Sequence, residues 1–183
     1  PEAAGAGVLL DMARSLWLRF GPSLRVVSAR SGATELPDAH KEALAAMRAG
    51  DMAGVAAAMA LGAAGVQVGT AYLCCPEATT SALHRAALHS EAARHTALTN
   101  VFTGRPARGI VNRVMRELGV MSTVAPEFPL ATAAMAPLRA HGEKQGSGDF
   151  SPLWSGQNAS GCRAVGAAEL TRLLAQGLGG HGA

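Results

Sequence analysis

Residues 51–70, D-M-A-G-V-A-A-A-M-A-L-G-A-A-G-V-Q-V-G-T, constrain the fold more than any other stretch of the chain. Asp51 is suited to cap a helix, because its carboxylate can accept an orphan N–H of the first turn. Met52, Val55 and Met59 recur at i, i+3 and i+7, giving one apolar stripe on a helix otherwise filled with alanine. Gly62 ends it, since glycine accepts the left-handed conformation common just past a helix. Gly65-Val66-Gln67-Val68-Gly69-Thr70 then reads as a buried strand ending in Gly-Thr. A helix joined so tightly to an apolar strand predicts an α/β unit, typical of parallel sheets covered by helices. The Gly69-Thr70 pair at the strand end is either a plain tight turn or a phosphate contact. In the second case backbone N–H groups and a hydroxyl approach the anion with no Cβ in the way.

The remaining composition narrows the classes. With 183 residues, 49% hydrophobic and 16% charged, the chain can bury one core, built from Ala, Leu, Val and Met because aromatics are only 4%. The net charge of +3 is mild and its densest cluster is Arg105, Arg108, Arg113 and Arg116. A nucleic-acid surface would want a basic stripe with stacking aromatics, and this chain has one tyrosine. Three cysteines, with Cys74 and Cys75 adjacent, form neither a disulfide framework nor a C-x-x-C zinc pair, so a reduced cytoplasmic setting is expected. No apolar run is long enough to suggest a membrane span.

Along the chain, Val8, Leu9, Met12, Leu16 and Phe20 share one helical face, and residues 24–28 suit a short strand. Pro37-Asp38 starts a helix through about Met47. Residues 79–97 read as one helix with Leu83, Ala87 and Leu88 inward and His84, His89 and His95 at the surface. Residues 98–103 are expected to be extended, turning at Gly104-Arg105-Pro106. Ile110, Val114 and Leu118 mark a short helix over 110–118. Residues 130–144 predict a helix that Pro137 kinks or divides, and 167–176 a final helix. Domain by domain, the expectation is an α/β segment without a motif over 1–45 and a further α/β segment over 46–97. A helical segment over 98–176 and a glycine-rich flexible tail over 177–183 follow.

Three blocks occur in a fixed order: A-L-G-A-A-G-V-Q-V-G-T at 60–70, F-T-G-R-P-A-R-G at 102–109 and L-W-S-G-Q at 153–157. Together they resemble the C-terminal part of the nitronate monooxygenase family, formerly called 2-nitropropane dioxygenases, over about residues 45–176. The resemblance implies an FMN-dependent TIM barrel, an oxidoreductase that oxidises alkyl nitronates with dioxygen. A complete barrel typically needs about 250 residues, so the expectation is an incomplete α/β TIM barrel, its last βα units followed by a mostly helical segment.

The resemblance implies that Gly69 and Thr70 contact the FMN phosphate, with Val68 standing where the family more often has Met or Ile. Gln67 lies on the opposite face from Val66 and Val68, where it either faces the flavin or satisfies backbone groups near the rim. Gln157, in the 154–160 loop, is a further possible hydrogen-bond partner of the cofactor. Met47-Arg48 occupy the place of the family's paired glycines, or else residues 26–32 are a diverged seventh strand. The family's catalytic histidine lies in a G-G-H-R-G-like segment that this sequence does not contain, so no catalytic residue is assigned and the isolated chain is expected to be inactive. Arg105 and Arg108 are read as structural rather than as an anion clamp. The competing readings are a fragment of a flavin-dependent enoyl-acyl-carrier-protein reductase and a non-catalytic remnant or partner-bound half barrel.

Overall fold

The computed structural model describes residues 24–28, 52–60 and 63–178. The expectations for Asp51, Gly62, Met47-Arg48 and the helices before residue 50 lie outside them. The chain divides into two compact units, one of residues 1–78 with 161–183 and the other of Thr79–Ser160.

In the first unit, strand β1 (Leu24–Ser28) pairs with β2 (Ala63–Val68), and helix α1 (Met52–Ala60) precedes β2. The pairing is antiparallel, with Leu24 opposite Val68 and Val26 opposite Val66 and a register shift between Val27 and Ser28. This corrects the expectation of a parallel pair; of residues 26–32, read alternatively as a diverged seventh strand, 29–32 lie outside the described residues. A helix-turn-strand pattern says that a helix covers a strand; an apolar run carries no information on its neighbour's direction. On α1, Val55 is buried and Met59 half-buried, but Met52, placed on the inward stripe, is 45% exposed. Helix α5 (Ala167–Ala175) and a 3-10 turn (Gln176–Leu178) complete the unit, with Leu170 and Leu174 buried at i, i+4. Gly177, expected in a mobile tail, is buried, and a Cβ there would meet the Met52 carbonyl oxygen at 2.6 Å.

The second unit opens with α2 (Ala82–Leu88), whose N-cap Ser81 hydroxyl accepts the His84 N–H at 3.2 Å. The long helix expected over 79–97 is instead α2, a 3-10 turn (Glu91–Arg94) and strand β3 (Thr96–Thr99). Ser90 lies between the two turns and its hydroxyl donates to the Ala87 carbonyl, an alternative to helical pairing that serine readily takes. β3 forms an antiparallel hairpin with β4 (Ala107–Ile110), so Ile110 is a buried strand residue rather than the start of a helix. Helix α3 is confined to Arg113–Leu118, and its Val114 and Met115 join Val101 and Phe102 in the core. Helix α4 (Leu130–Lys144) carries Pro137 inside it, as expected.

Candidate functional site

The strand end that the sequence singles out lies on the surface of the first unit. Gln67 is exposed while Val66 and Val68 are half-buried, the two-residue alternation of a strand with one face inward. Gly69 is exposed and initiates a 3-10 turn, Thr70–Cys74, in which the Tyr72 N–H donates to the Gly69 carbonyl at 3.0 Å. Thr70 is 5% exposed. Gln67 and Gly69 are thus open to solvent, while Thr70 is buried in the turn. An exposed glycine where a strand gives way to a helical turn fits a phosphate contact through the main chain.

The turn is held in place from the C-terminal segment. The Cys162 thiol donates to the Thr70 carbonyl at 3.6 Å. Tyr72 Oη lies 2.8 Å from Thr171 Oγ1, whose own proton goes to the Ala167 carbonyl, so the tyrosine is the donor. Both carboxylate oxygens of Glu77 accept the Ala167 N–H, at 3.0 and 3.1 Å, satisfying an orphan donor in the first turn of α5. Three side chains thus bind residues 70–77 to the neighbourhood of one helix. Sequence reasoning assigned no role to Tyr72, Glu77 or Cys162, because partners some 90 residues away leave no local pattern.

Gln157 belongs to the second unit. Gln67, Val68, Gly69 and Thr70 are therefore consecutive on one unit, while Gln157 stands on the other. Its Oε1 is buried and accepts no hydrogen bond from the described residues. Buried polar atoms are nearly always satisfied, so an orphan acceptor is where a donor from a ligand or water fits. The Trp154–Gln157 segment that carries it runs along β4. Trp154 bridges Gly109, with the Ile110 N–H on the Leu153 carbonyl at 2.8 Å and the Ser155 N–H on that of Arg108 at 3.2 Å. Gly109 is required by this closeness, since a Cβ there would stand 3.0 Å from the Leu153 carbonyl oxygen.

The arginines of the 102–109 block have partners in the protein. Arg105 stacks 4.1 Å over the Phe128 ring, and Arg108 Nη1 donates to the Thr96 carbonyl and hydroxyl at 3.2 and 3.3 Å. Of the histidines expected at the surface, His89 and His95 are exposed but His84 is half-buried against the Trp154 carbonyl. Among the described residues no group of His, Cys, Asp and Glu could hold a metal ion, and no helix is long and apolar enough to cross a membrane.

The α/β architecture with this strand end defines the class, and comparison with known proteins supplies the family. A family profile described as nitronate monooxygenase matches residues 34–177. The nitronate monooxygenase of Pseudomonas aeruginosa is 39% identical over 131 residues, covering 71% of this chain and 37% of its own length. That of Paraburkholderia phytofirmans is 39% identical over 126 residues, covering 68% and 34%. A solved structure of nitroalkane oxidase from Streptomyces ansochromogenes superimposes with a TM-score of 0.62 at 38% identity, covering 72% of this chain and 37% of that one. The chain belongs to the nitronate monooxygenase family. It spans little more than a third of the length of these relatives.

Proposed function

We propose that this chain is the C-terminal portion of an FMN-dependent flavoenzyme that oxidises alkyl nitronates with dioxygen, built on an incomplete TIM barrel. The observation that carries the reading is the strand end at Gln67-Val68-Gly69-Thr70, inside the family match and with Gly69 exposed. There the Gly69 backbone and Thr70 would hold the flavin's phosphate, with Val68 setting the strand that presents them. Gln67 is an amide partner for the polar edge of the cofactor, and Gln157, on the other unit, is a separate candidate acceptor for a ligand's donor. When bound, FMN would supply the redox chemistry, with the nitronate as reductant and dioxygen as oxidant. This chain's share is to bind and orient; the proton-handling histidine of the family belongs to a segment outside it. Three buried cysteines, none of them in a disulfide, are in keeping with a reduced cytoplasmic setting.

The test is to express these residues joined to the upstream barrel of the enzyme. Flavin should co-purify, and oxygen should be consumed with an alkyl nitronate but not with an enoyl thioester and reduced nicotinamide. Turnover of the enoyl thioester alone would overturn the monooxygenase reading in favour of a reductase.

A further inference from the structure

The 153–155 segment behaves as a short third strand beside β4. Its Trp154 sits in a pair whose two flanking hydrogen bonds, Ile110 N–H to the Leu153 carbonyl and Ser155 N–H to the Arg108 carbonyl, both run to β4. In such an antiparallel pair the N–H and C=O of the central residue point away from the partner strand. Trp154 therefore presents a bare edge carbonyl, a group that further strands or solvent normally satisfy. Here a side chain does so: His84 Nε2 stands 2.9 Å from that oxygen. A carbonyl can only accept, so Nε2 carries the proton. The neighbouring Leu83 side chain fills the space over Gly148, where a Cβ would meet it at 2.8 Å, so the residue before His84 packs against the loop that leads into this segment. Three residues beyond Trp154 lies Gln157, whose Oε1 is the orphan buried acceptor.

We infer that His84 is a positioning residue for the Trp154–Gln157 loop, substituting for the missing neighbouring strand and thereby fixing the Gln157 acceptor in the place where it meets a ligand's N–H donor. The second half of this rests on the flavin reading above; the first half does not. Burial, the largest influence, holds the imidazole pKa below its ordinary 6.5, against the pull of the Trp154 carbonyl and with that of the Arg139 charge. The ring is thus neutral at physiological pH, in the Nε2–H tautomer that the bond needs.

Hydrogen exchange read over peptides 153–160 decides the matter. His84→Leu removes the donor at similar volume, and should speed exchange of the 155–157 amides about tenfold while the 101–115 core is unchanged. His84→Gln, which keeps an N–H donor, should restore exchange to within about twofold of the natural chain. Unchanged loop exchange in His84→Leu, an increase shared equally by the core, or no rescue by glutamine would each overturn the inference. Should the leucine variant not fold, nitrogen chemical shifts of the natural chain still decide. They should report a neutral Nε2–H imidazole at His84, and an Nδ1–H tautomer would sink the proposal. FMN titration in parallel separates the two readings. Failure of the natural enzyme, completed with its barrel, to bind flavin overturns the flavin reading and leaves the loop measurement to judge His84.

Discussion

At the scale of single residues, Gly104 is restricted in substitution and Cys162 in reaction. Gly104 has φ +83°, and a Cβ built there would lie 2.3 Å from the Phe128 backbone nitrogen and 2.6 Å from the Pro126 carbonyl oxygen. Backbone atoms cannot swing aside, so Gly104→Ala adds a steric clash to the cost of a left-handed alanine. It should lose about 2–4 kcal/mol in urea denaturation. Gly119 is the steric control: φ is +82° but nothing lies within 4 Å, so Gly119→Ala meets only the backbone cost, about 1–3 kcal/mol, and should lose less than Gly104→Ala. Equal losses at both sites would mean that the contact at Gly104 contributes nothing. Cys162 differs in kind, since burial, with Cys74 and Cys75 beside it, pushes its thiol up to about 12. Thiolate, the reactive form, is then about one part in ten thousand near pH 8. Cys162 should resist alkylation in the folded protein and label fully in denaturant, as mass spectrometry would show; rapid native labelling would contradict its burial.

At the scale of elements, legibility followed the range of the interactions. Helix α4 spans the residues expected for it because its own apolar and alanine content decides it. The 79–97 helix was over-extended because serine capping at Ser81 and Ser90 competes with helical pairing, and the β3–β4 hairpin decides where the chain turns. Arg108 is buried against Thr96, a contact that exists only once that hairpin has formed. The strand end at Gln67 to Thr70 was legible as a motif, but the clamp that holds it was not. Glu77 caps α5 from 90 residues away. Glu77→Ala should therefore destabilise by about 0.5–1 kcal/mol, the range for losing an exposed cap, and Glu77→Gln by less, since one acceptor oxygen remains. A neutral alanine variant would show that the bond contributes nothing in solution.

The pH response also belongs to the elements, since it links α2 to α4. His84 on α2 has its pKa lowered, so in the unfolded chain it takes up a proton first as pH falls. Its contribution is full above about 6.5 and is lost as pH falls through the lower folded value. Glu143 on α4 is held below its ordinary 4.5 by hydrogen bonds from Arg139 and Ser151, both at 2.8 Å. Its contribution is present above that value and disappears as pH drops through the folded one. Stability should thus decline in two stages, the first below about pH 6.5 and the second below about pH 4.5. Urea midpoints measured across this range should show the first stage vanish in His84→Gln, and a flat profile from about pH 7 to 5 in the natural chain would refute it.

At the scale of the whole molecule, what matters is how much of a flavin site one third of a relative's length can carry. Ligand sites of this kind bury most of a ligand's surface, about 70–90%, and draw their walls from several directions. Within its first unit the described chain offers the exposed Gln67 and Gly69 and the buried Thr70. Two hydrogen bonds to a charged phosphate contribute roughly 3–6 kcal/mol in all. Ordering of the ligand and its loss of free motion consume part of that. The net is no better than roughly −5 kcal/mol, a Kd in the hundreds of micromolar or weaker. The 183-residue chain alone should therefore bind FMN with a Kd on the order of hundreds of micromolar or weaker in a fluorescence titration. It should consume no oxygen with an alkyl nitronate and added FMN. Joining the upstream barrel supplies the missing walls, and the same titration should then tighten by at least about a hundredfold, some 2.7 kcal/mol. Binding by the isolated chain tighter than about 1 μM, near −8 kcal/mol, would mean that these residues already enclose the cofactor, and the strand end would no longer suffice to describe the site.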